Sequence, residues 1–140
     1  MTLTRIIGII MAVMIVFALS NFFLKQISRD YVKRLPPEYK DFADAYRRFM
    51  QRMIRSHRFF GFAAAVFLVV HIGLIIFFAA ASLTGIIAAS FLVLVVAFGV
   101  YGYYINKNFR AWWLSVHRSC AFVLLLSALV HIFYKFYIFV

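Results

Sequence analysis

The chain has 140 residues, 66% of them apolar and 20% aromatic, with a formal net charge of +11. That composition lies outside the range of soluble globular domains and identifies an integral membrane protein. The charge does not make it a nucleic-acid binder, because the basic residues cluster where membrane topology would place them rather than over a soluble face.

The first apolar stretch, about residues 3–24, is one of four near the 20 or so residues that a membrane helix requires. Arg5 ahead of an apolar core and Ala18, Leu19 and Ser20 at its end resemble a signal peptide with a small-residue cleavage site. Cleavage would require the basic segment that follows to be translocated, so the span is expected to be retained.

That segment carries Lys25, Arg29, Lys33, Arg34, Lys40, Arg47, Arg48, Arg52 and Arg55 against Asp30, Glu38, Asp41 and Asp44. Pro36 and Pro37 interrupt it. From Glu38 to about residue 56, Tyr39, Phe42, Ala43, Tyr46, Phe49, Met50, Met53 and Ile54 recur at helical spacing opposite a charged face. The pattern predicts an amphipathic helix on the cytoplasmic membrane surface that turns into the second span, with arginines toward anionic lipid headgroups. A docking surface for a cytoplasmic partner is the alternative use of this helix.

Further spans are expected at about 58–81, 84–105 and 112–138, with an uncharged turn near Ser82–Gly85 and a connection bearing Lys107 and Arg110. No stretch alternates like a barrel strand. The predicted fold is all-α: a single integral membrane domain, a four-helix bundle with an interfacial helix between its first and second spans. The positive-inside rule makes the two basic connections cytoplasmic and places both termini on the extracytoplasmic side of an inner (cytoplasmic) membrane, with Arg5 and Lys135 as exceptions. Cys120, the lone cysteine, cannot form an intramolecular disulfide.

The chemistry lies in four histidines. His57 and His71 are 14 residues apart in the second span, and His117 and His131 are 14 apart in the fourth. On a helix, 14 residues fall about 40° short of four turns and rise about 21 Å, so each pair shares one face at two depths of a bilayer about 30 Å thick. An imidazole in lipid needs a partner, and one histidine could serve as a hydrogen bond between helices. Four at a duplicated spacing point further. Zn or Cu sites recruit Cys, Met, Asp or Glu beside His, and the spans hold no carboxylate. Pairs of imidazoles suit an iron that already has four porphyrin nitrogens. Without a Cys-x-x-Cys-His motif, the predicted cofactors are two haem b groups.

The second and fourth spans run parallel, which pairs His57 with His117 near the cytoplasmic face and His71 with His131 in the outer half. Arg58 and Arg118 directly follow the inner ligands and are candidates for the inner propionates, with Arg55, Arg110 and Lys107 next. Lys135, one turn after His131, is the outer candidate or a snorkelling lysine. Gly61, one turn after His57, and Ser119, Cys120 and Ala121 would leave room beside the porphyrin. Gly99 and Gly102 form a small-residue face on the third span, most simply a place of close helix packing.

His-Arg-Phe-Phe-Gly-Phe running on to His71, and His-Arg-Ser-Cys-Ala-Phe running on to His131, resemble the paired-histidine helices of membrane dihaem cytochromes b. That repeat is shared by respiratory cytochrome b, by ferric reductase and NADPH oxidase membrane domains, and by small flavinylation-associated cytochromes, which the chain most resembles in size. The resemblance covers roughly residues 57–138 and implies axial haem ligation by His57, His71, His117 and His131. Pro37-Glu38-Tyr39 resembles part of a quinol-site motif but stands ahead of the second span, the wrong position for it. No flavin or nicotinamide domain accompanies the helices. The expected function is therefore transmembrane electron transfer between a quinol or reductase and an acceptor on the opposite side, within a complex or oligomer. The alternatives are a haem-carrying anchor subunit of a larger redox complex and a haem-free assembly protein.

Overall fold

The computed structural model describes residues 2–78, 80–108 and 111–137. Helix α1 spans Thr2–Asp30, α2 Lys40–Phe78, α3 Leu83–Tyr104 and α4 Trp112–Tyr137, with single 3-10 turns at Val32–Arg34 and Pro37–Tyr39. No strand occurs among the described residues. All four helices are long and apolar enough to cross a membrane, and each contains one of the expected apolar stretches. The expected spans reach slightly past the helices at three ends: 80, 81 and Ile105 are non-helical, and residues 79 and 138 lie outside the described part.

One expectation is corrected. The amphipathic segment 38–56 is not a separate helix followed by a turn, because from Lys40 onward it forms the first half of the uninterrupted 39-residue α2. Pro36 and Pro37 stop the chain ahead of it, and no proline interrupts it afterwards, so nothing in the sequence breaks the ladder at residues 56–58. At about 1.5 Å per residue, α2 is about 58 Å long, roughly twice the hydrocarbon thickness of a bilayer. Its charged half cannot lie in hydrocarbon.

The end of α1 packs along that half. Tyr46 donates its hydroxyl to the Leu24 carbonyl at 2.9 Å, and Ser28, Val32 and Ala43 are buried in the seam. Asp44 pairs with Arg47 at 3.0 Å and Asp30 with Arg29 at 3.1 Å, while Gln26 also bonds Asp30. Phe42 and Phe49 remain exposed. Because α2 starts 17 residues before His57 and α4 only five before His117, the α1–α2 pair extends about 18 Å beyond the α3–α4 pair.

Sequential helices pack on one another and α1 packs on α4, whereas no Cα of α2 comes within 8 Å of one in α4, among the described residues. The two histidine-bearing helices therefore stand across the interior from each other. Ile15, Ala64, Leu68, Leu92 and Leu124, drawn from all four helices, form the buried core. Ala64 lies seven residues from both His57 and His71, and Leu124 seven from both His117 and His131, so the core fills the depth between the histidine levels. Lipid tails are as apolar as these side chains, which leaves close packing rather than water exclusion to hold them, and a small residue such as Ala64, 1% exposed, allows that approach.

The α3–α4 connection is pinned by Trp113, 4% exposed, whose indole N–H donates to the Asn108 carbonyl at 3.1 Å. Its ring lies against Gly102, where a Cβ would overlap the indole. Replacing Gly102 with Ala should therefore destabilise the chain by about 1–3 kcal/mol through overpacking. Gly61→Ala and Gly73→Ala, whose new methyls meet nothing within 4 Å, should be neutral or stabilising by up to about 1 kcal/mol. Unfolding titrations in mixed micelles compare the three variants.

Candidate functional site

The helices bring the four histidines into two levels. At the first, the His57 and His117 rings have centroids 6.2 Å apart and planes crossed at 76°. The second level holds His71 and His131, each 14 residues further along the same helix, α2 or α4. All four rings are half-buried.

Each ring is held from the neighbouring helix. His57 Nδ1 lies 2.9 Å from the Ala18 carbonyl of α1, and His117 Nδ1 lies 3.0 Å from the Val95 carbonyl of α3. A carbonyl can only accept, so Nδ1 carries the hydrogen and donates it, and Nε2 is the bare nitrogen. Neither Nε2 makes a hydrogen bond to a described residue. Such Nδ1–H bonds orient metal-binding imidazoles and raise their basicity.

The same register continues at the second level. Thr4 precedes Ala18 by 14 residues, as His57 precedes His71, and the Thr4 backbone is the one that approaches His71. The approach falls short of good geometry: buried His71 Nδ1 has no partner that meets hydrogen-bond criteria. On α3 the matching position is Ala81, which precedes the helix, and two hydroxyls stand there instead. His131 Nδ1 lies 3.1 Å from Thr84 Oγ1 and 3.4 Å from Ser82 Oγ.

Three glycines follow from this register. A helical carbonyl at position i points toward residue i+4, so a ring bonded to it lies over the i+4 Cα. Those residues are Gly8, Gly85 and Gly99, where a Cβ would stand 3.2 Å from His71, 3.0 Å from His131 and 3.5 Å from His117, each time at ring carbon Cε1. The fourth such position is Phe22, whose ring meets Phe122 edge-on at 5.1 Å.

The cationic candidates are distributed between both levels. Arg58 lies over the Tyr103 ring, 4.5 Å from its centroid. Arg118 interacts electrostatically with His117, and Lys135 with His131. Arg55 and Lys107 are exposed, and Arg110 lies outside the described residues. Gly61 touches no ring; nothing lies within 4 Å of the place its Cβ would take. Ser119 is exposed, and Cys120 and Ala121 are half-buried. Asn21, one turn after Ala18 and 9% exposed, has a buried side-chain oxygen without a partner. Sequence reasoning passed over Asn21, Ser82, Thr84, Gly8 and Gly85.

Among the described residues, no three His, Cys, Asp or Glu side chains gather to hold a bare metal ion. Two imidazoles per level suffice only for a metal that brings its own equatorial donors.

The chain matches no protein-family model, no curated protein and no solved structure.

The ring contacts make a graded prediction. Gly99→Ala adds a methyl at ordinary contact distance and should be tolerated, whereas Gly99→Leu should displace His117 and cost about 1–3 kcal/mol. Unfolding titration measures the cost, and the histidine ring NMR signals report the displacement.

Proposed function

We propose that the protein is a four-helix membrane bundle that carries two b haems, one between His57 and His117 and one between His71 and His131, and passes single electrons across the membrane. The carrying observation is the first-level pair: two imidazoles 6.2 Å apart across the interior, each with Nδ1–H committed to a carbonyl and Nε2 left bare. A haem at each level would supply a one-electron couple inside hydrocarbon.

The chain's residues have distinct tasks under this reading. His57 with His117, and His71 with His131, would hold the haem iron and leave it no position for oxygen, which favours electron transfer over oxygen binding. Arg58 and Arg118 neutralise propionates at the first level and Lys135 at the second. The core of Ala64, Leu68, Leu92 and Leu124 keeps water out of the depth between them. The positive-inside rule sets the first level toward the cytoplasm of the inner membrane, so both termini face the other side. A quinol or reductase would serve one face and an acceptor the other.

A haem-free packing role is favoured by one observation: His57 and His117 already bond across helices, which is what a packing histidine does. Each bond nevertheless uses one nitrogen of two.

The purified chain should show two b haems by pyridine haemochrome and a b-type reduced-minus-oxidised spectrum. His71→Ala or His131→Ala should leave one haem per chain. A colourless protein that takes up no added haem would return the histidines to a packing role.

A further inference from the structure

The four histidines are of two kinds. At the first level both Nδ1 atoms face backbone carbonyls. At the second level neither does so in good geometry: His71 Nδ1 lacks a partner of good geometry and His131 Nδ1 faces hydroxyls. The cause is local. The carbonyl that would continue the Val95 register belongs to Ala81, ahead of the first turn of α3, so no helical carbonyl is directed at the ring.

The capping residues stand in its place. Ser82 caps α3, its Oγ accepting the Gly85 N–H at 3.3 Å. With that lone pair used, the Ser82 hydroxyl can donate to Thr84 Oγ1 at 3.4 Å. Thr84 Oγ1, 3.1 Å from the ring, then accepts from His131 Nδ1. In this arrangement Nδ1 carries the hydrogen and Nε2 is bare, with Ser82 Oγ also standing 3.4 Å from Nδ1.

We propose that Ser82 and Thr84 are positioning residues that hold His131 in the Nδ1–H tautomer and set its electron donation as a second-level ligand. This rests on the haem function proposed above. A hydroxyl is a weaker acceptor than a peptide carbonyl, so it draws less on the Nδ1–H bond and leaves Nε2 a weaker donor. His71, without a well-placed acceptor, is weaker for the same reason. Full charges do not separate the levels: Arg58 and Arg118 flank the first, while Lys135 and Arg5, which lies over Phe136 at 5.8 Å, flank the second. Acceptor strength then distinguishes the two levels, and the second is expected to be the more easily reduced.

Two readouts on the full chain in lipid nanodiscs test this. In haem-free, ¹⁵N-histidine-labelled protein, the His131 ring shifts should report Nδ1–H, and Ser82→Ala combined with Thr84→Val should convert them to a mixture of tautomers. In haem-loaded protein, potentiometric titration should resolve two steps. Thr84→Val should move one of them upward. Thr84→Asp, a strong acceptor tolerated in the first turn of α3, should move the same step downward, and Thr84→Ser should leave it in place. Unchanged His131 shifts in the double variant, or Val and Asp variants that move both steps alike, would overturn the assignment. A colourless protein whose His131 shifts respond as expected would remove the haem reading and leave the positioning role standing.

Discussion

An imidazole in hydrocarbon is costly without a polar partner, and at the first level backbone carbonyls of the neighbouring helices meet that requirement and set their register. The bond from His57 to Ala18 fixes how far α2 slides along α1, and the bond from His117 to Val95 does the same for α4 along α3. Apolar side chains cannot set this register, since one ridge of Leu, Val and Phe fits several grooves with similar energy and lipid competes for the same contacts. With both pairs registered, the second-level histidines arrive at matched depth without any further device. The positions four residues past Thr4, Ala81 and Val95 lie under the rings and are glycines, Gly8, Gly85 and Gly99, while the one past Ala18 is Phe22.

Register also explains the uneven outline of the molecule. The Ala18–His57 bond leaves twelve residues of α1 beyond its acceptor and seventeen of α2 before its ring. Together with the connection between them, residues 31–39, this excess carries all four acidic residues of the chain and nine of its fifteen basic ones. Ion pairs such as Arg47–Asp44 are exposed and contribute little to stability. Burial of Val32, Ala43 and Ser28 and the Tyr46–Leu24 bond hold the projecting hairpin instead. A helix broken at the membrane surface would have forfeited that packing, which is a physical reason for α2 to run unbroken.

Much of this was legible in the sequence, and the remainder had identifiable causes. Apolar length located all four helices. The repeated 14-residue spacing of the histidines indicated the faces that meet, because it depends only on helix geometry. The continuity of α2 was missed because amphipathic patterning marks which face is polar without saying whether the axis bends. Ala18 and Val95 could not be found, since a backbone acceptor leaves no mark in residue type. Their consequence was nevertheless written down: Gly85 and Gly99 are themselves 14 residues apart on α3, the same period as the histidines. Read that way, they indicate a helix shaped against two rings, whereas Gly61, chosen for its nearness to His57, faces open space. Proximity in sequence proved a weaker guide than shared period.

The donor set narrows what the two levels can hold. A bare transition metal needs four or more ligands, and each level presents two imidazoles with no carboxylate, thiolate or third imidazole gathered beside them among the described residues. Packing alone would be served by any arrangement in which one nitrogen of each ring is bonded. It gives no reason for the two first-level rings to meet across the interior with centroids 6.2 Å apart. The proposed haem, which would supply its own four donors, offers a reason for that meeting.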